Sequence, residues 1–231
     1  MAAISVKTNK FVNIDKQNSL VIDVTYKCNS SCYYCQWGEL TKSSMEINYE
    51  KLLIPENTLS ALGIERVVLS GGEPLLHNRI IDIINYYNQK NVDSIILLTN
   101  GILLNLSKLQ LLLEHGLTGV TFSIDSLDYE IAKKSKNLTK EVHQKIINNF
   151  NSIVKFRETK SFELGINCVI SSSNLRWDYL HSLVQFCNQK NIDWLKFQPI
   201  FDDGYLSLNA PQLKLSKNHS EDAIEIGKTC S

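Results

Sequence analysis

The 231-residue chain contains no apolar run approaching the roughly 18 residues that a membrane-spanning helix needs. Its opening stretch, MAAISVKTNKFVNIDKQN, has no continuous apolar segment, so a secretory leader is not expected. Neither sign of charge is in surplus. With 24 basic against 24 acidic residues, there is no general electrostatic case for a nucleic acid or an anionic membrane as partner. Low-complexity segments and interdomain linkers are also missing. So are a second Cys-x-x-Cys pair, which structural zinc sites usually use, and a G-x-G-x-x-G phosphate loop. What remains is a cytoplasmic chain of ordinary globular composition, 43 % apolar and 21 % charged, long enough for one domain with a sizeable core. Structural disulfides are rare in that compartment, so the six cysteines need another explanation.

Short apolar runs alternate with helical patterns along most of the chain. Strands are expected at Leu20–Tyr26, Arg66–Ser70, Ser94–Thr99, Thr118–Ile124, Phe162–Ile170 and Ile192–Pro199. Helices are expected at Ser43–Leu62 (with Ser43 and Glu46 spaced as a capping box and Pro55 kinking it), Asn78–Lys90, Asn105–His115 closed by Gly116, Thr139–Thr159 and Leu175–Gln189. Continuous apolar strands alternating with amphipathic helices signify a parallel sheet with helices on its faces. Six such units are too few for a closed eight-stranded barrel. The expected fold class is therefore α/β, an open partial (β/α)6 barrel over residues 20–200, preceded by an extension (1–19) and followed by a polar covering tail or lid (201–231). The segment from Asn88 to Asp93 recurs almost unchanged from Asn188 to Asp193, each copy at a helix end leading into a strand, as a repeated βα unit would produce.

Cys28, Cys32 and Cys35 crowd into one loop just past the first strand. In open α/β folds, ligands bind at the carboxyl ends of the strands. Three thiolates so placed suit a metal centre: an iron–sulfur cluster whose fourth iron stays open, or zinc with a distant fourth ligand. Inert thiols are the bland alternative. Cys168 and Cys187 sit in an apolar strand and on an apolar helix face and read as packing residues. Ser70-Gly71-Gly72-Glu73-Pro74 follows the second strand, where glycines allow close backbone approach to a ligand; taken alone, it also reads as a simple turn. Thr99-Asn100-Gly101 and Ser123-Ile124-Asp125-Ser126 end the third and fourth strands, positions that read as site residues. Asn167 and Gln198 read either as facing the barrel interior or as satisfied buried amides.

Cys-x-x-x-Cys-x-x-Cys with an aromatic, Tyr34, before its last cysteine, set after the first strand of such a chain, closely resembles the radical S-adenosylmethionine (radical SAM) superfamily. The resemblance covers roughly residues 20–200. It implies a [4Fe-4S] cluster on Cys28, Cys32 and Cys35, with S-adenosyl-L-methionine chelating the open iron. One-electron reduction by an external donor such as flavodoxin or ferredoxin would then yield a 5′-deoxyadenosyl radical that takes hydrogen from a substrate. It also implies that Glu73 and the Gly71–Gly72 backbone hold the cofactor's amine, and that Asn100, Tyr34, Ser123 and Asp125 line its site. Lys133, Lys134 and Lys136 follow in the next loop, where relatives often carry a basic residue for the methionine carboxylate; a solvated lysine run is the plainer reading. LSGGEPLL and SIDSLD look most like relatives acting on peptides or on nucleotide-derived precursors, so a peptide or small-molecule biosynthetic substrate is expected. Glycyl-radical activation or deazapurine-synthase-like chemistry are alternatives, and a non-catalytic zinc- or Fe–S-stabilised binding module is the alternative from another class. Many relatives carry a cysteine-rich auxiliary domain after the barrel. Cys230 alone does not supply one and raises the question of truncation.

Overall fold

Alternation along the strands, buried one way and half-open the other, sets the architecture. The computed structural model describes residues 4–6, 18–42, 46–90, 92–201 and 204–215. Its strands are β1 (Ile4–Val6), β2 (Ser19–Thr25), β3 (Arg66–Gly71), β4 (Ser94–Thr99), β5 (Gly119–Ser123), β6 (Glu163–Ile170) and β7 (Trp194–Pro199). They form one sheet in the order β1-β7-β6-β5-β4-β3-β2. β2 to β7 pair parallel throughout. These are the six strands expected from the sequence, and the sheet does not close.

The helices are α1 (Glu56–Ala61), α2 (Ile80–Asn88), α3 (Leu106–Glu114), α4 (Tyr129–Lys136), α5 (Lys140–Arg157), α6 (Trp177–Gln189) and α7 (Gly204–Asn209). One face of the sheet presents Val67, Leu69, Ile95, Leu97, Val120, Phe122, Leu164, Ile166, Cys168, Leu195 and Phe197 to them, and all are buried in the main core. Phe122 meets Phe150 of α5 edge-on, with ring centroids 5.1 Å apart.

The other face lines the hollow of the open barrel. Its floor is polar and aromatic. Arg66 donates to Ser94 Oγ (2.8 Å) and to Glu163 Oε2 (2.9 Å), and its guanidinium lies over the Trp194 ring. With a two-residue period, the residues above that floor on the same face are Asp23, Ser70, Leu98, Ser123, Asn167 and Lys196. The carboxyl end of the hollow is thus polar, while the helix-covered face is apolar.

The structure corrects several expectations. Among the described residues, no continuous helix runs from Glu46 to Leu62. Single 3₁₀ turns at Gly38–Lys42 and Tyr49–Leu52 precede α1, which starts only after Pro55, because proline has no N–H to continue a helix. The proposed capping box rests on Ser43, which lies outside the described residues; Glu46 bonds Lys27 at 3.1 Å. The lysine-rich connection is not a loop but α4, capped by Asp128, whose side chain accepts from Glu130 N. Its low apolar content hid it. The N-terminal extension contributes β1, which pairs antiparallel with β7. Gly116 does close α3, at φ +102°, and a Cβ there would stand 2.1 Å from Asn88.

Candidate active site

The cysteine loop leaves β2 and is fixed by its backbone at both ends. Cys28 N donates to Thr41 O (3.0 Å), Cys35 N to Cys32 O (3.1 Å), and Tyr33 N to Ser135 O at the end of α4 (2.9 Å). Side chains add to this. Tyr33 Oη donates to Asn137 Oδ1 (2.9 Å), and Asn137 Nδ2 donates to Ser31 Oγ (3.0 Å). Asn137 is the left-handed residue that ends α4, at φ +49°, a conformation asparagine tolerates better than most. The three thiols are half-buried and form no disulfide. Donors already face the sulfurs: Ser30 N to Cys28 Sγ (3.4 Å) and Asn100 Nδ2 to Cys28 Sγ (3.8 Å). Ser30 Oγ lies 3.5 Å from Cys32 Sγ. Burial pushes the Cys28 thiol up to about 11, with Cys32, Glu73 and Cys35 adding to the rise. Burial also raises Cys32, although Lys136 pulls it down.

Gly71 and Gly72 are needed for a reason the sequence did not reveal. Gly72 N donates to Thr25 O and Glu73 N to Lys27 O, both at 2.7 Å. A Cβ on Gly71 would stand 2.3 Å from Thr25 O, and one on Gly72 2.2 Å from Lys27 O. The glycine pair therefore lets the end of β3 lie against the base of the cysteine loop. Glu73 is completely covered. Its carboxylate accepts from Leu75 N (3.2 Å), Thr99 Oγ1 (2.8 Å) and Asn100 N (2.8 Å). It thus ties the end of β3 to the end of β4. Burial pushes this carboxyl up to about 7 against the pull of those donors.

Asp125, after β5, is likewise buried. Its carboxylate accepts from Tyr34 Oη (2.9 Å), Ser135 Oγ (3.2 Å) and Val169 N (3.0 Å). Burial and the Asp125 charge hold the Tyr34 hydroxyl well above the ordinary tyrosine range. Of the three lysines, Lys133 is a surface residue paired with Glu130, whereas Lys136 is 5 % exposed. Lys136 Nζ donates to Ser123 O (2.6 Å) and Ser123 Oγ (2.8 Å) and lies 3.7 Å from Asp125 Oδ1. The solvated reading is thereby corrected for Lys136.

One cavity of about 160 Å³ gathers these parts. Cys28, Cys32, Cys35 and Tyr34 line it together with Gly71, Gly72, Asn100, Ser123 and Lys136. Glu73 and Asp125 are not on its wall; they stand behind it and hold residues that are. Larger depressions, at the end of α5 and below β6, contain none of the cysteines or glycines of the motifs. Among the described residues, no three His, Cys, Asp or Glu side chains converge closely enough for a single metal ion. The donor set fits a cluster: three unpaired thiols line one cavity, with N–H donors aimed at the Cys28 sulfur.

Sequence reasoning missed Ser30, Ser135 and Asn137, and the apolar wall of Leu98, Ile102, Leu138 and Ile146. Asn137 carried a readable signal, an asparagine directly after a lysine-rich segment. Asn167 keeps its Oδ1 buried without a partner, and Gln198 is exposed. Cys168 and Cys187 are core residues; Cys230 lies outside the described residues. Leu206, Ala210 and Leu213 pack with Tyr34 and Ile200 as a small second cluster, so residues 204–213 cover the outer side of the cysteine loop. No helix among the described residues is long and apolar enough to cross a membrane.

Comparison with known proteins gives concordant results. A family model described as the radical SAM superfamily matches residues 22–167. A probable GTP 3′,8-cyclase of Methanocaldococcus jannaschii is 34 % identical over 173 residues, covering 73 % of this chain and 54 % of that protein. A GTP 3′,8-cyclase of Clostridium perfringens is 36 % identical over 112 residues, 47 % of this chain and 34 % of that protein. The chain spans about half the length of the first and less of the second. Among solved structures, Streptococcus suis SuiB bound to S-adenosylmethionine aligns over 92 % of this chain and 48 % of its own, with TM-score 0.66 and 17 % identity. AnSMEcpe with bound AdoMet aligns over 91 % and 60 %, with TM-score 0.67 and 21 % identity. At such identities the shared property is the fold.

Proposed function

We infer the reaction from one premise: the chain belongs to the radical SAM superfamily, whose enzymes bind a [4Fe-4S] cluster and S-adenosylmethionine. The proposed function is reductive cleavage of S-adenosylmethionine, with hydrogen abstraction from a peptide or small-molecule biosynthetic substrate. The observation that carries it is the single cavity on which the three cysteines, the glycine pair, Ser123 and Lys136 converge. When bound and reduced by an external one-electron donor, the cluster supplies the electron that splits the sulfonium into methionine and a 5′-deoxyadenosyl radical.

The chain's own residues do the rest. Cys28, Cys32 and Cys35 would hold the cluster as thiolates, with the donors from Ser30 and Asn100 compensating charge at Cys28. Because the Cys28 thiol is held up at about 11, cluster loading must drive off a proton there. The Gly71–Gly72 backbone is open to an ammonium group, and Glu73, directly behind Thr99 and Asn100, favours positive charge at that rim. A carboxylate has about four acceptor positions, of which Glu73 uses three. Lys136, on the cavity wall, is the basic residue we assign to the methionine carboxylate, which it would meet by giving up part of its contact with Ser123. Asp125 orients Tyr34, whose ring forms part of the wall beside the sulfurs. Residues 204–213 back that ring and keep water from it.

A second, narrower reading has specific support. The curated relatives above are named as GTP 3′,8-cyclases, which makes a purine nucleoside triphosphate the first small molecule to try. SuiB with its precursor peptide SuiA keeps the peptide reading in view. The test is anaerobic reconstitution with iron and sulfide, followed by dithionite and S-adenosylmethionine. Release of 5′-deoxyadenosine is expected, and acceleration by GTP would select the nucleotide reading. Tight zinc without cofactor cleavage would contradict both.

A further inference from the structure

The hollow of the barrel holds a second group of polar residues that the cofactor reading does not use. In register across β5, β6 and β7 stand Ser123, Asn167 and Lys196. All three are half-buried on the face above the Trp194 floor, and Gln198, one pair further along that face, is exposed. Other charges facing the hollow are neutralised: Arg66 by Glu163 (2.9 Å), and Lys136 by the Ser123 oxygens and Asp125. Asp23 is held up by burial, toward its neutral form, and hydrogen-bonds the Ser70 side chain. Lys196 is different. Among the described residues its ammonium has neither a hydrogen bond nor an ion pair, and its neighbour Asn167 keeps a buried Oδ1 without a donor.

The buried, unfilled Asn167 acceptor is costly unless a donor completes it, and Lys196 stands next to it in register with an ammonium open to solvent and so to an anion. Strands in a sheet lie about 4.8 Å apart, so Lys196, two strands from Ser123, sits about 10 Å from the cofactor cavity wall. That is the span of a small substrate with one end at the cavity. We propose that Lys196 and Asn167 form a substrate subsite for an anionic group, a carboxylate or a phosphate, with Asn167 taking a neighbouring N–H or O–H of the same molecule. The inference deepens the proposed function and rests on it for the meaning of the cavity, but not for the binding itself.

The test is binding to the full chain, followed by Trp fluorescence, since Trp194 lies two residues before Lys196 on the same face, and by calorimetry. Two pairs of probes separate the sources of the anion: GTP against guanosine for phosphate, and a tripeptide against its C-terminal amide for carboxylate. One charged probe is expected to bind about ten- to a hundredfold tighter than its neutral counterpart, the size of a hydrogen bond to a charged group. Lys196→Gln should abolish that preference, and Lys196→Arg should keep it, which guards against a merely misfolded variant. Equal binding of each charged and neutral pair would overturn the proposal, and so would a preference that survives Lys196→Gln. Cleavage of S-adenosylmethionine is assayed separately. A chain that cleaves the cofactor but ignores the anion refutes the subsite alone. A chain that prefers the anion without cleaving the cofactor keeps the subsite and refutes the reaction.

Discussion

Replacing Glu73 by glutamine should change how stability depends on pH. Its carboxyl is completely covered, and burial lifts it from an ordinary 4.5 to about 7 even though three donors point at it. A carboxyl with a raised folded-state pKa binds its proton more tightly when folded than when unfolded. The folded chain therefore loses stability as pH climbs from about 4.5 to about 7, and loses no more above that. That interval, at about 1.4 kcal/mol per pH unit, gives a loss of about 3 kcal/mol. Glutamine cannot ionise, and its NH₂ meets a donor whichever way the amide lies, so it carries a fixed cost at every pH. Relative to the parent chain, the variant should therefore gain up to about 3 kcal/mol between pH 5 and pH 8. The assay is urea unfolding of the metal-free, reduced chain at pH 5, 6, 7 and 8, where a difference of about 1 M in midpoint is readable. Parallel curves for the two proteins would refute the reasoning, and would mean that the bonds from Thr99, Asn100 and Leu75 fully offset desolvation.

Gly72→Ala puts a Cβ 2.2 Å from Lys27 O; overpacking of this kind should lower stability by about 1–3 kcal/mol in a thermal melt, and reduce the iron retained after reconstitution. Asn137→Gly keeps the left-handed turn but removes the bonds to Tyr33 and Ser31, so iron loss to a chelator should quicken several-fold while the melting temperature barely moves. Lys136→Met should weaken S-adenosylmethionine binding at least about tenfold by calorimetry, the size of one lost charge-assisted bond. Phe150→Ala, at a wholly buried ring against Phe122 and Phe186, should cost about 3–5 kcal/mol in denaturant unfolding without changing the cavity.

Six strands and four of the helices were legible because their residues carry the period of the element. LVIDVT and SIILLT are mostly apolar and rich in β-branched residues, and α3 and α5 place leucine and isoleucine at helical spacing. α4 was not legible because YEIAKKSK has too few apolar residues to register, although its aspartate cap and its asparagine end obey ordinary rules. β1 is three residues long and exists only because β7 offers an edge. The cysteine and glycine motifs were readable from spacing, but the work of the buried carboxylates was not. Sequence suggests that Glu73 and Asp125 reach the cofactor; it does not show that they also act as struts, one for Thr99 and Asn100 and one for Tyr34. Lys196 escaped notice altogether, since it becomes unusual only when no partner faces it.

The central claim is that Cys28, Cys32 and Cys35 hold a cluster that cleaves S-adenosylmethionine at this cavity. Quantifying 5′-deoxyadenosine from the anaerobically reconstituted chain, with dithionite and S-adenosylmethionine, tests it most directly. The account predicts release of 5′-deoxyadenosine with methionine, abolished in Cys32→Ala together with the broad visible absorption. Iron-loaded protein that yields no 5′-deoxyadenosine, or a Cys32→Ala variant that still yields it, would contradict the account.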